Sequence, residues 1–366
     1  MKSIAIISSE FPQVQPLTDI LSHDYLIKHS QLERFHADSH LRAILIDAVI
    51  AANAPTQLAQ LQRTNLPIIV LCQHEAQYPT VADIATDYLV QPWHTSTVMA
   101  KINTHVHIAE IVQGSFNSDI ENTPRLSDRE QLNAAQEAAI LCLASVARIR
   151  DHATGNHILR TQHYVKALAE YLRYHPDYQA DLDNNATIEL FYKTASLHDI
   201  GKVAIPDAIL QKEGELTPDE YEIMKKHTCL GFDAIHSAQK LLPHEARNSA
   251  GSFLRYAQQV TLSHHERWDG SGYPQGIAGD EIPVVARLMA VADVYDAIIS
   301  RRPYKHAMSH EAAANIILQG SGSLFDPRVV AAFCDLQETF RKVSIILEEY
   351  FPSLADPNES FYCELP

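Results

Sequence analysis

Seven side chains of metal-ligating type stand where surface polarity does not account for them: His157, His198, Asp199, His227, His264, His265 and Asp293. His198-Asp199 closes an apolar helical stretch in which Phe191, Ala195 and His198 share a face. His227 sits within the next helical stretch, on the side of Ile223. His264-His265 ends a third, clustered with Leu254 and Thr261. Asp293 lies four residues after Met289, inside the mostly apolar run Val284–Ile299. Neutral imidazole is the commonest nitrogen ligand for transition metals. An ionised carboxylate in an apolar setting is costly unless it is paired or bound to metal. Taken singly, each residue has a plain alternative: a core histidine with a hydrogen-bonded ring, or an aspartate that caps a helix or pairs with an arginine. Two adjacent pairs make that alternative a string of coincidences, so the pattern points to metal. Several imidazoles with one or two carboxylates suit iron, manganese, zinc, cobalt or nickel and suit magnesium poorly. The donors are too many for one ion. Two ions sharing Asp199 would absorb them, and ions roughly 3.5–4 Å apart clamp the attacking and leaving oxygens of a phosphoryl centre. The chemistry expected is metal-dependent hydrolysis. His94, His105, His107, His236 and His310 lack this context and read as surface or packing residues.

Four helices, each delivering one or two ligands inward, could build such a site in a bundle core. From about Gln131 onward the pattern is almost wholly helical. One helix start is explicit at Thr217-Pro218-Asp219-Glu220, with Thr as N-cap, Pro at the first position and Glu closing a capping box. Residues 1 to about 110 read differently. Ile4–Ile7, Ala43–Ile46, Ile68–Leu71 and Tyr88–Val90 are buried strands separated by segments that can hold helices, an α/β pattern with a parallel sheet. The polar stretch Asn117–Asp128, with Pro124, reads as a joint. The expected organisation is an α/β domain over 1–112, a linker and connecting helix over 113–135, an all-helical catalytic domain over 136–350 and a tail over 351–366.

Bulk composition fits two soluble domains. The 366 residues are 46% hydrophobic and 20% charged, enough for two cores. A net charge of −16 argues against bulk nucleic-acid binding, which needs a basic surface. No apolar run reaches bilayer length, and the opening Met1–Ile7 is too short for a signal peptide. The five scattered cysteines form no C-x-x-C pair. That fits a reducing cytoplasm, the expected location.

His198-Asp199-Ile200-Gly201-Lys202 followed by His264-His265-Glu266-Arg267-Trp268-Asp269-Gly270-Ser271-Gly272-Tyr273-Pro274 closely resembles the HD-GYP group of the HD phosphohydrolases. The resemblance runs from about Arg150 to Phe333. It takes in Thr154-Gly155-Asn156-His157, the Ile205-Pro206-Asp207 turn, Asp293-Val294-Tyr295-Asp296-Ala297 and Arg302-Pro303-Tyr304-Lys305. It implies an all-helical fold and a phosphodiesterase acting on cyclic di-GMP, yielding linear pGpG, GMP or both. It also implies the ligand division: His157, His198, Asp199 and Asp293 on one ion; Asp199, His227, His264 and His265 on the other, iron or manganese foremost. A water or hydroxide between them would attack phosphorus in line with the departing 3′ oxygen. By the same resemblance Lys202 reaches the scissile phosphate, and Arg302 and Lys305 bind phosphate. The glycine-bearing turn Asp269–Pro274 presents Tyr273 at the pocket mouth, where a ring can stack on or hydrogen-bond to guanine. Solvated charge at Lys202, Arg302 and Lys305, and a purely structural turn, are the plain alternatives. Some members carry a glutamate four residues before the first ligand histidine, which helps to hold a third metal. Ala153 stands there, so two ions are expected. A receptor or scaffold without turnover, and a preference for cyclic GMP-AMP, are alternative functions. Gly272-Tyr273-Pro274 argues against a mononucleotide hydrolase.

Residues 1 to about 110 resemble a response-regulator receiver domain that has lost its chemistry. Asp47 follows the third strand, at the phosphoacceptor position. The acidic pair expected after the first strand is replaced by Ile7-Ser8-Ser9-Glu10, Cys72 stands where a hydroxyl is expected, and Gln91-Pro92 lacks the expected lysine. Magnesium then has too few hard oxygen ligands. Phosphoryl acceptance is not expected. Homodimerisation or docking of other signalling proteins is.

Overall fold

The computed structural model of the chain describes residues 2–9, 11–83, 85–116, 127–151, 155–300 and 307–350. Glu10, Ala153, Arg302, Lys305, the centre of the expected joint and the tail from 351 lie outside the described residues. Two compact units are present. The first comprises Met1–Thr123, Glu170–Gln179 and Asp335–Val343; the second holds the rest. No described helix is long and apolar enough to cross a membrane.

The first unit contains a parallel five-stranded sheet: β1 (Ser3–Ile7), β2 (Leu26–Ser30), β3 (Leu41–Asp47), β4 (Ile68–Cys72) and β5 (Asp87–Val90), in the order β2-β1-β3-β4-β5. That order is the flavodoxin-like one. Strand alternation divides the core. Ile4, Ile6, Leu45 and Leu71 face one side, where they pack with Leu17, Leu21, Val98 and Ile102. Ile7, Ile44, Ile46 and Val70 face the other, with Ala51, Leu58 and Leu61. Both faces of a parallel sheet must be covered. The helices that do so are α1 (Gln15–Leu21), α2 (Ala48–Asn53), α3 (Pro55–Gln62) and α4 (Thr95–Phe116). Two differences from the sequence reading stand out. β2 carries Lys28, His29 and Ser30 at the sheet edge, so it lacks the apolar run that marks the other four strands. The connections before β3 and β5 hold only short 3-10 turns, Leu32–Arg34 and Glu75–Thr80. Asp47 ends β3 and caps α2, its carboxylate accepting from Val49 N at 2.8 Å. His105 is a core residue: with Lys101 it binds the fully buried Asp87, each nitrogen 2.9 Å from a carboxylate oxygen, and Thr339 donates to the same group at 2.7 Å.

The second unit is helical: α5 (Asp128–Asp151), α6 (Gly155–Leu172), α7 (Asn185–Ala195), α8 (Asp207–Leu210), α9 (Pro218–Lys225), α10 (His227–Leu241), α11 (His244–Ser263), α12 (Val284–Ile299), α13 (His310–Gln319) and α14 (Pro327–Tyr350). α6 and α14 also lend residues to the first unit. α12 is buried almost all round, as its sequence VVARLMAVADVYDAII requires. It forms the centre of an aromatic core in which Tyr164 meets Tyr295 edge-on at 5.3 Å, and Phe333 lies 5.5 Å from Tyr295. α9 begins with the capping box read from sequence: Glu220 N donates to Thr217 Oγ1, and Glu220 Oε2 accepts from Thr217 N.

Candidate metal centre

The HD pair follows α7 rather than ending it. The helix stops at Ala195, and His198-Asp199 stand in the turn that leads to a 3-10 segment, Ile200–Ala204. His227 differs likewise. The helix read as continuous from Thr217 breaks at Lys226, and His227 opens α10. His264 caps the C-terminus of α11, with His265 next. His157 lies in the first turn of α6, and Asp293 lies midway along α12.

These elements bring the seven side chains into two groups. Asp199, His227, His264 and His265 form one; His157, His198 and Asp293 form the other. Within each group one ligand atom per residue lies within 4.8 Å of the others. Asp199 faces both. Its Oδ1 is 3.3 Å from His227 Nε2 and 3.7 Å from His264 Nε2, while its Oδ2 is 3.2 Å from His198 Nε2. Asp293 Oδ1 lies 3.7 Å from His157 Nε2 and 4.0 Å from His198 Nε2.

The hydrogen bonds on the far side of the rings fix which nitrogen is free. His198 Nδ1 donates to Ala195 O at 2.8 Å, His227 Nδ1 to Met224 O at 2.7 Å and His264 Nδ1 to Val260 O at 2.9 Å. A carbonyl can only accept, so each Nδ1 carries the proton and each neutral ring keeps a lone pair on Nε2. Those lone pairs converge on one another and on carboxylate oxygens. His227 Nε2 and His264 Nε2 are 3.5 Å apart. His198 Nε2 and Asp199 Oδ1 are buried with no hydrogen-bond partner. Acceptors held against acceptors repel unless a cation lies among them, so the donor set fits divalent transition-metal ions.

Protonation at His227, His265 and Asp199 supports the same fit, whereas without an ion His198 leans toward its protonated form. Burial, reinforced by His264, lowers His227 to about 4 against the opposing pull of Asp199. Burial and then His264 and His227 hold His265 well below the ordinary imidazole value. Burial alone would raise Asp199, but Lys202 and then His198 outweigh it and keep the carboxyl well below its usual range. Burial lowers His198, and Asp199 more than reverses that. Lys202 places Nζ 2.7 Å from Asp199 Oδ2.

Backbone contact sets the spacing of the turn against α10. A Cβ built on Gly201 would stand 1.9 Å from His227 O and 2.5 Å from Gly231 N. Only glycine lets the HD turn lie on the start of α10 and so hold Asp199 beside His227. Gly201→Ala is expected to cost about 1–3 kcal/mol or more, as overpacked sites do. Urea titration of the two proteins checks this; equal midpoints would contradict it.

The loop after the histidine pair is pinned by Glu266, whose carboxylate accepts from Gln275 N at 2.7 Å and Gly276 N at 3.1 Å. Gly272 runs against the backbone of Glu266 and Arg267, where a Cβ would clash at 2.3–2.6 Å. This arrangement lays the Tyr273 ring on His265, centroids 4.8 Å apart and 28° from parallel, beside Tyr221 at 6.3 Å. Lys225 Nζ lies 5.5 Å from the Tyr221 ring and 5.6 Å from that of Tyr273.

Two residues at the site were missed by sequence reasoning. Asp296 accepts from His157 Nδ1 at 2.8 Å, and Arg160 holds Asp296 from behind. The signal was a second carboxylate three residues after Asp293 in the same apolar helix, which needed a partner as much as the first did.

Comparison with known sequences places the chain in a family. Residues 138–329 match the HD domain family. A probable cyclic di-GMP phosphodiesterase of Vibrio cholerae is 46% identical over 257 residues, 70% of this chain and 57% of that protein. The cyclic di-GMP phosphodiesterase response regulator RpfG of Xanthomonas campestris is 32% identical over 247 residues, 67% of this chain and 60% of that protein. A 3′3′-cGAMP-specific phosphodiesterase 2 of Vibrio cholerae is 32% identical over 233 residues, 64% and 40% of the two chains. This chain thus spans less than two thirds of the length of these relatives. It belongs to the HD domain family. Its motif blocks and these relatives assign it, within that family, to the HD-GYP group.

Proposed function

We propose that the protein is a metal-dependent phosphodiesterase that hydrolyses cyclic di-GMP to linear pGpG, GMP or both. The observation that carries this reading is the meeting of two ligand groups at Asp199, with unprotonated Nε2 atoms aimed inward. His157, His198, Asp199 and Asp293 would hold one ion, and Asp199, His227, His264 and His265 the other. When bound, two such cations lower the pKa of water and neutralise phosphoryl charge. Iron or manganese suits this donor set best. Lys202, at the rim of Asp199, brings positive charge to the transferred phosphoryl group. Tyr273, on the outer face of His265, offers a ring for stacking on guanine. Arg302 and Lys305 remain assigned to phosphate binding through their motif alone. The N-terminal unit would serve dimerisation or partner docking, since Asp47 already caps a helix.

A preference for cyclic GMP-AMP is the second reading, favoured by the relatives named as specific for it. Protein purified without oxygen, loaded with iron, manganese or magnesium and followed by chromatography on cyclic di-GMP and cyclic GMP-AMP, tests both. The first reading expects faster loss of cyclic di-GMP, with iron or manganese above magnesium. Faster loss of cyclic GMP-AMP would install the second, and two bound ions without turnover would leave a receptor.

A further inference from the structure

Among the ring nitrogens with an assigned partner in the two ligand groups, His157 is held differently from the others. His198, His227 and His264 each donate Nδ1 to a carbonyl three or four residues earlier in the chain. At His157 a side chain from another helix takes the carbonyl's place: the Asp296 carboxylate, 2.8 Å away.

Asp296 is only 1% exposed and is fully engaged. Its Oδ1 accepts from Arg160 Nε at 2.6 Å; its Oδ2 accepts from Arg160 Nη2 at 2.9 Å and Ser300 Oγ at 3.1 Å. Arg160 is itself anchored, Nη2 donating to Ser300 Oγ at 2.7 Å and Nη1 to Glu348 at 3.1 Å. A two-point arginine–carboxylate contact fixes the orientation of the carboxylate plane. The anion therefore stands in place before any ion arrives. Its charge, unlike a carbonyl dipole, makes the opposite nitrogen of the ring a stronger donor.

We propose that Asp296, oriented by Arg160, is a positioning residue that fixes the His157 ring and strengthens Nε2 as a ligand, so that the ion of the His157–His198–Asp293 group depends on it and the other ion does not. This rests on the two-ion reading of the site. The consequence is asymmetry: one group contains a histidine fixed by a buried ion pair, whereas in the other His227 and His264 are fixed by backbone carbonyls.

The test counts bound manganese by mass spectrometry and titrates it against a chelator in the full-length wild type, Asp296→Ala and Asp296→Asn. The melting temperature of each metal-free protein is measured alongside. Wild type should hold two ions. Asp296→Ala should hold one ion as tightly as wild type and the other about 10–100-fold more weakly. Asp296→Asn keeps an acceptor for Nδ1 and should recover part of that loss. If Asp296→Ala unfolds, the asparagine variant alone must still show one weakened and one unchanged ion. Two wild-type affinities in the variants would overturn the inference and leave the two-ion site standing. So would parallel weakening of both ions that tracks the metal-free melting temperature. A wild type that binds no pair of ions would remove the two-ion reading, and this inference with it.

Discussion

Asp199→Ala should lose most of its bound transition metal and lower turnover of cyclic di-GMP by more than about 10³-fold, beyond the 10²–10³ typical of one lost transition-state donor. The reason is its position between the two groups. Asp199 Oδ1 lies 3.3 Å from His227 Nε2 and its Oδ2 lies 3.2 Å from His198 Nε2, so one carboxylate serves both. Alanine leaves five imidazoles and Asp293, with no anion between the two groups to draw two cations close together. The expected metal content is below one ion per chain. Metal analysis and single-turnover chromatography on the same sample check both parts. Turnover within tenfold of wild type would exclude Asp199 from the site. Full metal content with turnover lost would leave Asp199 a catalytic role and deny it the shared ligation.

Lys202→Met separates binding of substrate from binding of metal. Lys202 Nζ contacts Asp199 Oδ2 at 2.7 Å, and it leads the groups that keep the Asp199 carboxyl ionised against burial. If Lys202 acted only as that partner, ions bound to Asp199 would replace it and the loaded variant would turn over normally. If it supplies charge to the phosphoryl group, the variant should keep two ions and lose about 10²–10³-fold in kcat. Steady-state kinetics on metal-counted protein distinguishes these outcomes. A wild-type kcat with both ions present would reduce Lys202 to a neighbour of the HD pair.

The site was legible because its ligands announce themselves locally. A histidine beside an aspartate, or beside a second histidine, at the end of an apolar stretch is readable from a few residues. Which ligand belongs with which depends on contacts between distant segments, and the sequence offered that division only through family likeness. Asp296 and Arg160 were hidden for the same reason. Their partnership spans α6 and α12, and an Asp three residues from a presumed ligand does not reveal that it faces a histidine ring. The break at Lys226 also escaped notice, because Thr217 to Leu241 carries no proline or glycine at the junction; the turn becomes necessary only once Gly201 packs against the backbone of His227. In the first unit, four strands were visible as unbroken apolar runs. β2 was not, since an edge strand needs only one neighbour and tolerates Lys28 and His29.

The proposed phosphodiesterase depends on a pair of ions joined at Asp199. The most direct test is quantitative metal analysis of oxygen-free, full-length protein, with cyclic di-GMP turnover followed as ions are added back to the metal-free form. Saturation is expected at two ions per chain, with turnover rising only as the second ion binds. Full turnover at one ion per chain, or turnover without any transition metal, would contradict it.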